Sequence, residues 1–275
     1  MLIGVNVPNF GPGTSPAVLR DWARTVEGLG FDLLMVSDHV AVTPDVAEQY
    51  PAPFYEPFTT LSWLAGVTER ITLGTTVLIA PYRHPLLVAR MAANLADLSG
   101  GRLVLGVGIG WARQEFAALG VEFGRRGELT DELITAVRAA WEDDGYRAGH
   151  IPIWVGGHSD GALRRVVRLG DAWHPLRQTP DGWQESLARL KKTAAEQDRP
   201  VPGLAPRVLL RLTDDPPAER RLGEGTVEQV VADLERLRAD GAHAVVLDPF
   251  IGDPEETRRP EAAWHALAAV RKEFR

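Results

Sequence analysis

The run GVGIGW, Gly106 to Trp111, ends an apolar stretch that begins at Leu103. Glycines at every second position leave one strand end without side chains, so a flat ligand or another backbone can lie directly against the main chain. The spacing is not the dinucleotide fingerprint, because G-x-G-x-x-G requires glycine where Trp111 stands. Other residues able to do chemistry gather in short groups: Ser37-Asp38-His39, Tyr82-Arg83-His84, Gly156-Gly157-His158 and Trp173-His174. Imidazoles exchange protons near neutrality. A glycine pair ahead of a helix offers free amides and a positive helix end to an anion, although a strand–helix turn can need the same glycines. No spacing of histidines and carboxylates marks a metal site.

The elements that would hold these groups alternate. Apolar strand-like runs occur at 2–7, 32–36, 71–79, 103–109, 153–155, 171–173, 207–212 and 243–247, with helical patterns between them. The first helix repeats Val18, Leu19, Trp22, Ala23, Val26 and Leu29 on one face, with Ser15 and Pro16 at its start and Gly30 at its end. The third starts at Pro85 and ends at Gly100, and a long fourth falls within 127–143. Thr226 to Gln229 forms a T-x-x-Q capping box, and Asp253-Pro254-Glu255 is expected to open the last helix. Eight strand–helix units with short links predict an α/β fold, a single (β/α)8 TIM barrel over 1–275 with loop insertions at its C-terminal mouth; a doubly wound open sheet is the alternative. The mouth of such a barrel carries its chemistry. Five of the seven histidines, all but His150 and His265, lie at or just beyond strand ends, joined by Asn6, Asn9, Arg211, Asp214 and Asp248.

Composition excludes several classes. The chain has 275 residues, no cysteine and a net charge of −7, which rules out disulfides and a thiol nucleophile and argues against a nucleic-acid partner. The apolar runs are strand-length, so no membrane span is expected. MLIGVNVP runs straight into a strand with no basic leader, which predicts a cytoplasmic protein. Lysines occur only at 191, 192 and 272, so nearly all the basic residues are arginine.

The runs LLMVSDH (33–39), LGTTVLIAPYRHP (73–85), GRLVLGVGIGWARQEF (101–116) and PIWVGGHSDGALRR (152–165), with GDAWHP (170–175) after them, resemble the luciferase-like monooxygenase superfamily. They are most similar to its branch dependent on the deazaflavin coenzyme F420. The resemblance implies an oxidoreductase that lays a flavin-type ring across the barrel mouth and moves a hydride to or from a small organic substrate. Coenzyme F420 is the expected cofactor, with FMN and oxygen, or a non-catalytic flavin-binding barrel, as alternatives.

In that reading His39 exchanges the proton that accompanies hydride transfer, unless it only caps its loop or bonds Asp38. Asp38 lies by the ring. Thr76-Val77 takes the place of a non-prolyl cis peptide behind the ring, or else is an ordinary core strand. Gly108, Ile109 and Gly110 let strand four approach the cofactor, with Gln114 one helical turn on, or relieve crowding inside the barrel. Gly156, Gly157 and His158 hold its phosphate. Arg113, Arg164, Arg165 and Arg168 are candidates for its acidic tail, or solvated helix residues. Trp111, Tyr82, His84 and His174 are candidate substrate contacts. Against this, Trp111 also fits a core tryptophan, His84 a helix-start hydrogen bond, and His174 the close of the sixth strand.

The sequence departs from sugar-phosphate dehydrogenases of this branch. Trp111 stands where they carry a glutamate acid, and Thr43 roughly where they carry a tryptophan. The departure argues against a carboxylate partner to His39 and leaves Glu115 as helix surface or a structural acceptor. The proline- and aromatic-rich stretch Thr43 to Pro57 reads as a non-helical lid or a rigid surface loop. Extra apolar area at Leu86, Leu87 and Ala93, with the dimers usual among relatives, predicts a homodimer through helices two and three.

Overall fold

A computed structural model describes residues 1–250 and 252–274. Strands β1 (Leu2–Asn6), β2 (Leu33–Val36), β3 (Thr72–Thr75), β4 (Leu78–Ile79), β5 (Leu103–Gly108), β6 (Ile153–Gly156), β7 (Ala172–His174), β8 (Gly203–Leu204), β9 (Arg207–Leu209) and β12 (Ala244–Asp248) pair in parallel. Their order is β8-β7-β6-β5-β3-β2-β1-β12-β9, with β4 also against β5. The sheet is curled: its two end strands, β8 and β9, are neighbouring pieces of one run of chain. A separate parallel pair, β10 (Arg211–Leu212) and β11 (Glu224–Gly225), lies off this sheet.

The helices are α1 (Pro16–Gly28), α2 (Pro44–Ala47), α3 (Pro57–Ala65), α4 (Pro85–Leu98), α5 (Arg113–Ala118), α6 (Arg126–Trp141), α7 (Asp160–Leu169), α8 (Pro180–Glu196), α9 (Val227–Ala239) and α10 (Pro260–Glu273). Local chemistry starts most of them. Ser15, Ser159, Thr179 and Thr226 accept backbone hydrogen bonds as N-caps, and Thr226 with Gln229 completes a reciprocal capping box. Strand residues alternate between two cores. Leu34, Val36, Leu105, Val155 and Val245 pack toward the helices, while Leu33, Met35, Val104, Trp154 and Val246 belong to a separate buried cluster on the sheet's other face.

Four expectations need correction. The run 71–79 is not one strand: it breaks at Thr76-Val77 into β3 and β4. The run 207–212 contributes β9 to the sheet and then leaves it, so Arg211 and Asp214 lie away from the cavity described below. The stretch 43–57 does contain helix, because Pro44 and Pro57 each occupy a first turn, where a missing amide costs nothing. The last α-helix begins at Pro260, and Asp253 caps a separate 3-10 turn, Pro254–Arg258.

β3 and β5 touch too closely for a side chain between them. A Cβ at Gly106 would collide with the Thr75 carbonyl oxygen, whereas one at Gly28, in α1, would meet nothing within 4 Å. Gly106→Ala should therefore lower stability by about 1–3 kcal/mol through overpacking. Gly28→Ala should leave stability unchanged or raise it by up to about 1 kcal/mol. Urea unfolding of both variants checks the contrast, and equal midpoints would count against the close approach.

Candidate active site

A cavity of about 390 Å³ opens at the C-terminal strand ends, lined by Asp38 and His39 after β2, Ile79 of β4, Gly108 to Trp111, Gly156-Gly157 and His174. Its floor is built around Val77. The Thr76–Val77 peptide bond is cis, and the valine methyls fill the side-chain space of two other strands. A Cβ at Gly108 would lie 2.5 Å from one methyl, and a Cβ at Gly156 would lie 3.1 Å from the other. Gly110, at φ +74°, is closed on its side-chain face by Ile79 and Phe116. The alternating glycines thus relieve crowding and at the same time leave a flat wall along the cavity.

Beside Val77, Thr76, His174 and Arg207 also line the cavity and belong to one hydrogen-bonded chain. Arg207 donates to the Thr76 carbonyl at 2.6 Å and to Asp248 at 2.6 and 3.0 Å, and Asn6 donates to the other Asp248 oxygen at 2.9 Å. His174 Nδ1 faces the Ala205 carbonyl, which can only accept, so Nδ1 carries the proton. Nε2 then accepts from the Thr76 hydroxyl at 2.8 Å. Burial, with the Arg207 charge nearby, pushes the His174 pKa down to about 4, so the ring is neutral at pH 7 with both nitrogens engaged. Arg207 was not singled out from the sequence. Its only signal was a cation inside a strand run.

Two buried carboxylates organise the opposite wall. Asp38 takes both guanidinium nitrogens of Arg83 at 2.6 and 2.8 Å and the Ile79 amide at 2.8 Å. Glu115 comes from α5 and is fully buried. Its Oε1 accepts the amides of Val40 (2.6 Å) and Ala41 (3.0 Å); its Oε2 meets His39 Nδ1 at 2.6 Å and the Tyr82 hydroxyl at 3.0 Å. Burial by itself would raise the Glu115 carboxyl, but the imidazole and the two amides outweigh it and hold the group below the ordinary carboxylate range. Burial and the Glu115 charge push the Tyr82 phenol up, so it stays a donor. With Nδ1 committed, His39 Nε2 has no hydrogen-bond partner among the described residues, and the ring is boxed by Tyr50, Phe54 and Trp111 at centroid distances of 5.4–5.6 Å.

The expectation of no carboxylate partner for His39 is therefore wrong. The glutamate arrives from Glu115, a helical turn beyond Trp111, rather than from position 111 itself. Several other candidates lie elsewhere. Gln114 is exposed, and its amide donates to Asp45. His158 is exposed, and His84 caps α4 by accepting the Leu86 amide. Tyr82 meets Glu115 and is not part of the cavity lining. His243 precedes β12 at the opposite end of the sheet, beside Gly203. Arg165 and Arg168 both pair with Asp131, and Arg113 stacks over Phe123. Arg164 is exposed, and Arg177 lines the cavity.

The chain belongs to the luciferase-like monooxygenase family, which it matches over residues 1–220. Across 266 residues it is 29% identical to a phthiodiolone/phenolphthiodiolone dimycocerosates ketoreductase of Mycobacterium tuberculosis, covering 84% of this chain and 68% of that one. Its fold superposes on an F420-dependent secondary alcohol dehydrogenase solved with an F420–acetone adduct (TM-score 0.74, 16% identity, 98% of each chain). It superposes equally on the oxygenating constituent of 3,6-diketocamphane monooxygenase from Pseudomonas putida, solved with FMN (TM-score 0.74, 17% identity, 100% and 97% of the two chains).

A carboxyl held below its ordinary pKa stabilises the fold above that ordinary value, and the contribution disappears as pH falls through the lowered one. Glu115→Gln should cost about 1–3 kcal/mol at neutral pH. The gap from the native protein should narrow in acid, where the native carboxyl is protonated. Denaturant midpoints measured between pH 7 and pH 3 check it; a gap that stays constant with pH would show that the charge contributes nothing.

Proposed function

We propose that this protein is an oxidoreductase that uses coenzyme F420 to move a hydride to or from an organic carbonyl–alcohol pair. The observation that carries the proposal is the His39–Glu115 contact of 2.6 Å beside a side-chain-free wall. When bound, the deazaflavin supplies hydride transfer at a ring carbon. The residues fit such a group: Gly108, Ile109 and Gly110 offer a flat face, and Val77 fills the floor behind it. Gly156-Gly157 stand ahead of α7 and suit a phosphate, with Arg177 in the cavity lining available to acidic groups. The sheet fits a closed (β/α)8 barrel, since the Ala205 and Arg207 amides bond to Trp173 of β7 and to Pro175 just after it, and the Leu204 and Pro206 carbonyls accept from His243 just before β12 and from Val246 within it.

His39 is the proton partner in this scheme. Glu115 fixes its Nδ1 as the donor, which leaves Nε2 as the nitrogen that holds or releases a proton at the substrate oxygen. His174 is neutral with both nitrogens occupied, and His84 is spent as a cap. Trp111, 41% exposed, offers an apolar surface to the substrate next to the imidazole. The names of the similar ketoreductase and alcohol dehydrogenase support a carbonyl–alcohol couple. The FMN-bound neighbour supports the second reading, a monooxygenase using reduced FMN and oxygen. Trp63 of α3 and Leu86 and Leu87 of α4 are exposed and suit a homodimer contact, although Ala93 is buried and adds nothing to it.

Titration of the protein with each cofactor should give at least about tenfold tighter binding of F420 than of FMN. Preferential FMN binding with oxygen uptake on turnover would establish the monooxygenase reading instead. His39→Asn should leave F420 affinity near the native value and lower the turnover rate by about 10²–10⁴-fold. Undiminished turnover of that variant at saturating cofactor would remove His39 from the reaction.

A further inference from the structure

Tyr82 lies outside the cavity, yet its hydroxyl ends on Glu115 Oε2, the same oxygen that receives His39 Nδ1. The carboxylate is completely enclosed: two amides occupy Oε1, and an imidazole and a phenol share Oε2. We propose that Tyr82 is a positioning residue for the proton chemistry at His39, acting through Glu115 by drawing on the oxygen that stabilises the imidazolium. The inference deepens the oxidoreductase reading and rests on it for the meaning of that proton.

An anion that shares its charge among four donors binds any one of them less strongly than an anion left with three. Removing the phenol therefore concentrates the Glu115 charge on His39 Nδ1–H and stabilises the protonated ring. The geometry suits this role, because the phenol is fixed at the other end as well. Its ring packs edge-to-face on Phe116, the residue after Glu115, at 4.8 Å. Tyr82 also ends the 3-10 turn, Ala80–Tyr82, that follows β4, so Val77, which builds the cavity floor, and the donor that tempers the carboxylate sit on one short segment.

The other groups near His39 have partners of their own. Asp38 is neutralised by Arg83, which also binds Glu56 at 3.1 Å. Asp45 accepts the Thr43 hydroxyl and the Gln114 amide. Tyr50 stacks on the His39 ring, and Phe54 and Trp111 meet it edge-on. Among these, Tyr82 is the neutral donor that a single-atom change removes without disturbing packing.

The test is Tyr82→Phe, which keeps the ring and deletes the hydroxyl, read by NMR titration of the His39 ring carbons in cofactor-free protein. The His39 midpoint should move to higher pH by about half to one unit, the larger value being a tenfold change in the protonation equilibrium. In a Glu115→Gln background the same substitution should move the midpoint by much less, since the charge it tempers is gone. In turnover, the pH profile of kcat should shift in the same direction, while F420 affinity stays near native. A midpoint that is unmoved or lowered in Tyr82→Phe would overturn the proposal and leave Tyr82 as a packing residue. A shifted NMR midpoint with no F420 binding would instead uphold the tuning and sink the coenzyme assignment, so the two failures are separable.

Discussion

One side chain fills the places that glycines leave empty on two neighbouring strands, and the cavity depends on that interlock. Val77 sits where Gly108 and Gly156 would carry side chains, and the Thr75 carbonyl sits where Gly106 would. Cores are packed as densely as organic crystals, so no larger residue fits at those positions unless the segment Thr75 to Val77 moves. The glycines clear the wall of β5, and the valine supplies the floor between β5 and β6. The same segment places the Thr76 carbonyl against Arg207 and the Thr76 hydroxyl against His174. The Val77 side chain and the Arg207 and His174 groups that hold Thr76 thus line the same cavity, with Asp248 balancing the guanidinium.

Burying two carboxylates beside this cavity is costly unless each finds donors, and each does so in a different way. Asp38 is balanced by one bidentate arginine. Glu115 has no full counter-charge; it is held by three neutral donors and one titratable ring. That difference assigns them different roles. Burial pushes the Asp38 carboxyl up while the Arg83 guanidinium pulls it back, and the bidentate pair lets Asp38 shape the wall and anchor Ile79. A carboxylate facing an imidazole responds to that ring's protonation and in turn steadies it.

Much of the fold was legible because barrel strands and helices announce themselves by period. The apolar runs predicted β1, β2, β5, β6, β7 and β12 to within a residue or two, and the capping box at Thr226 appears as written. What periodicity could not register was irregular backbone. Thr and Val are good strand residues, so nothing in 71–79 marked the break after Thr75 apart from the resemblance. Prolines in 43–57 were read as excluding helix, whereas at a first turn they favour it. In the site, proximity to a strand end located His39, Asp38 and His174 but did not distinguish them from His84 and His158, which serve a cap and the surface.

Glu115 is the structural acceptor that was one of its two readings, and its contact with His39 went unseen for a reason that follows from helix geometry. Its neighbours Arg113, Gln114, Ala117 and Ala118 are all exposed, so the short helix α5 has the composition of a surface element. One polar residue turned inward in such a helix leaves no periodic trace, because its burial is decided by a partner 76 residues away. The partner side carries no trace either: the amides of Val40 and Ala41 are main-chain groups, present whatever the sequence. Only the requirement that buried polar groups be satisfied ties them together, and that requirement is visible once the chain is folded. The carboxylate therefore does two things at once. By holding the backbone after β2 through Oε1 and the imidazole through Oε2, it fixes where His39 stands and which of its nitrogens faces outward. A proton-exchanging ring at the end of a strand needs both, since a mobile loop or an unassigned tautomer would leave Nε2 without a defined direction.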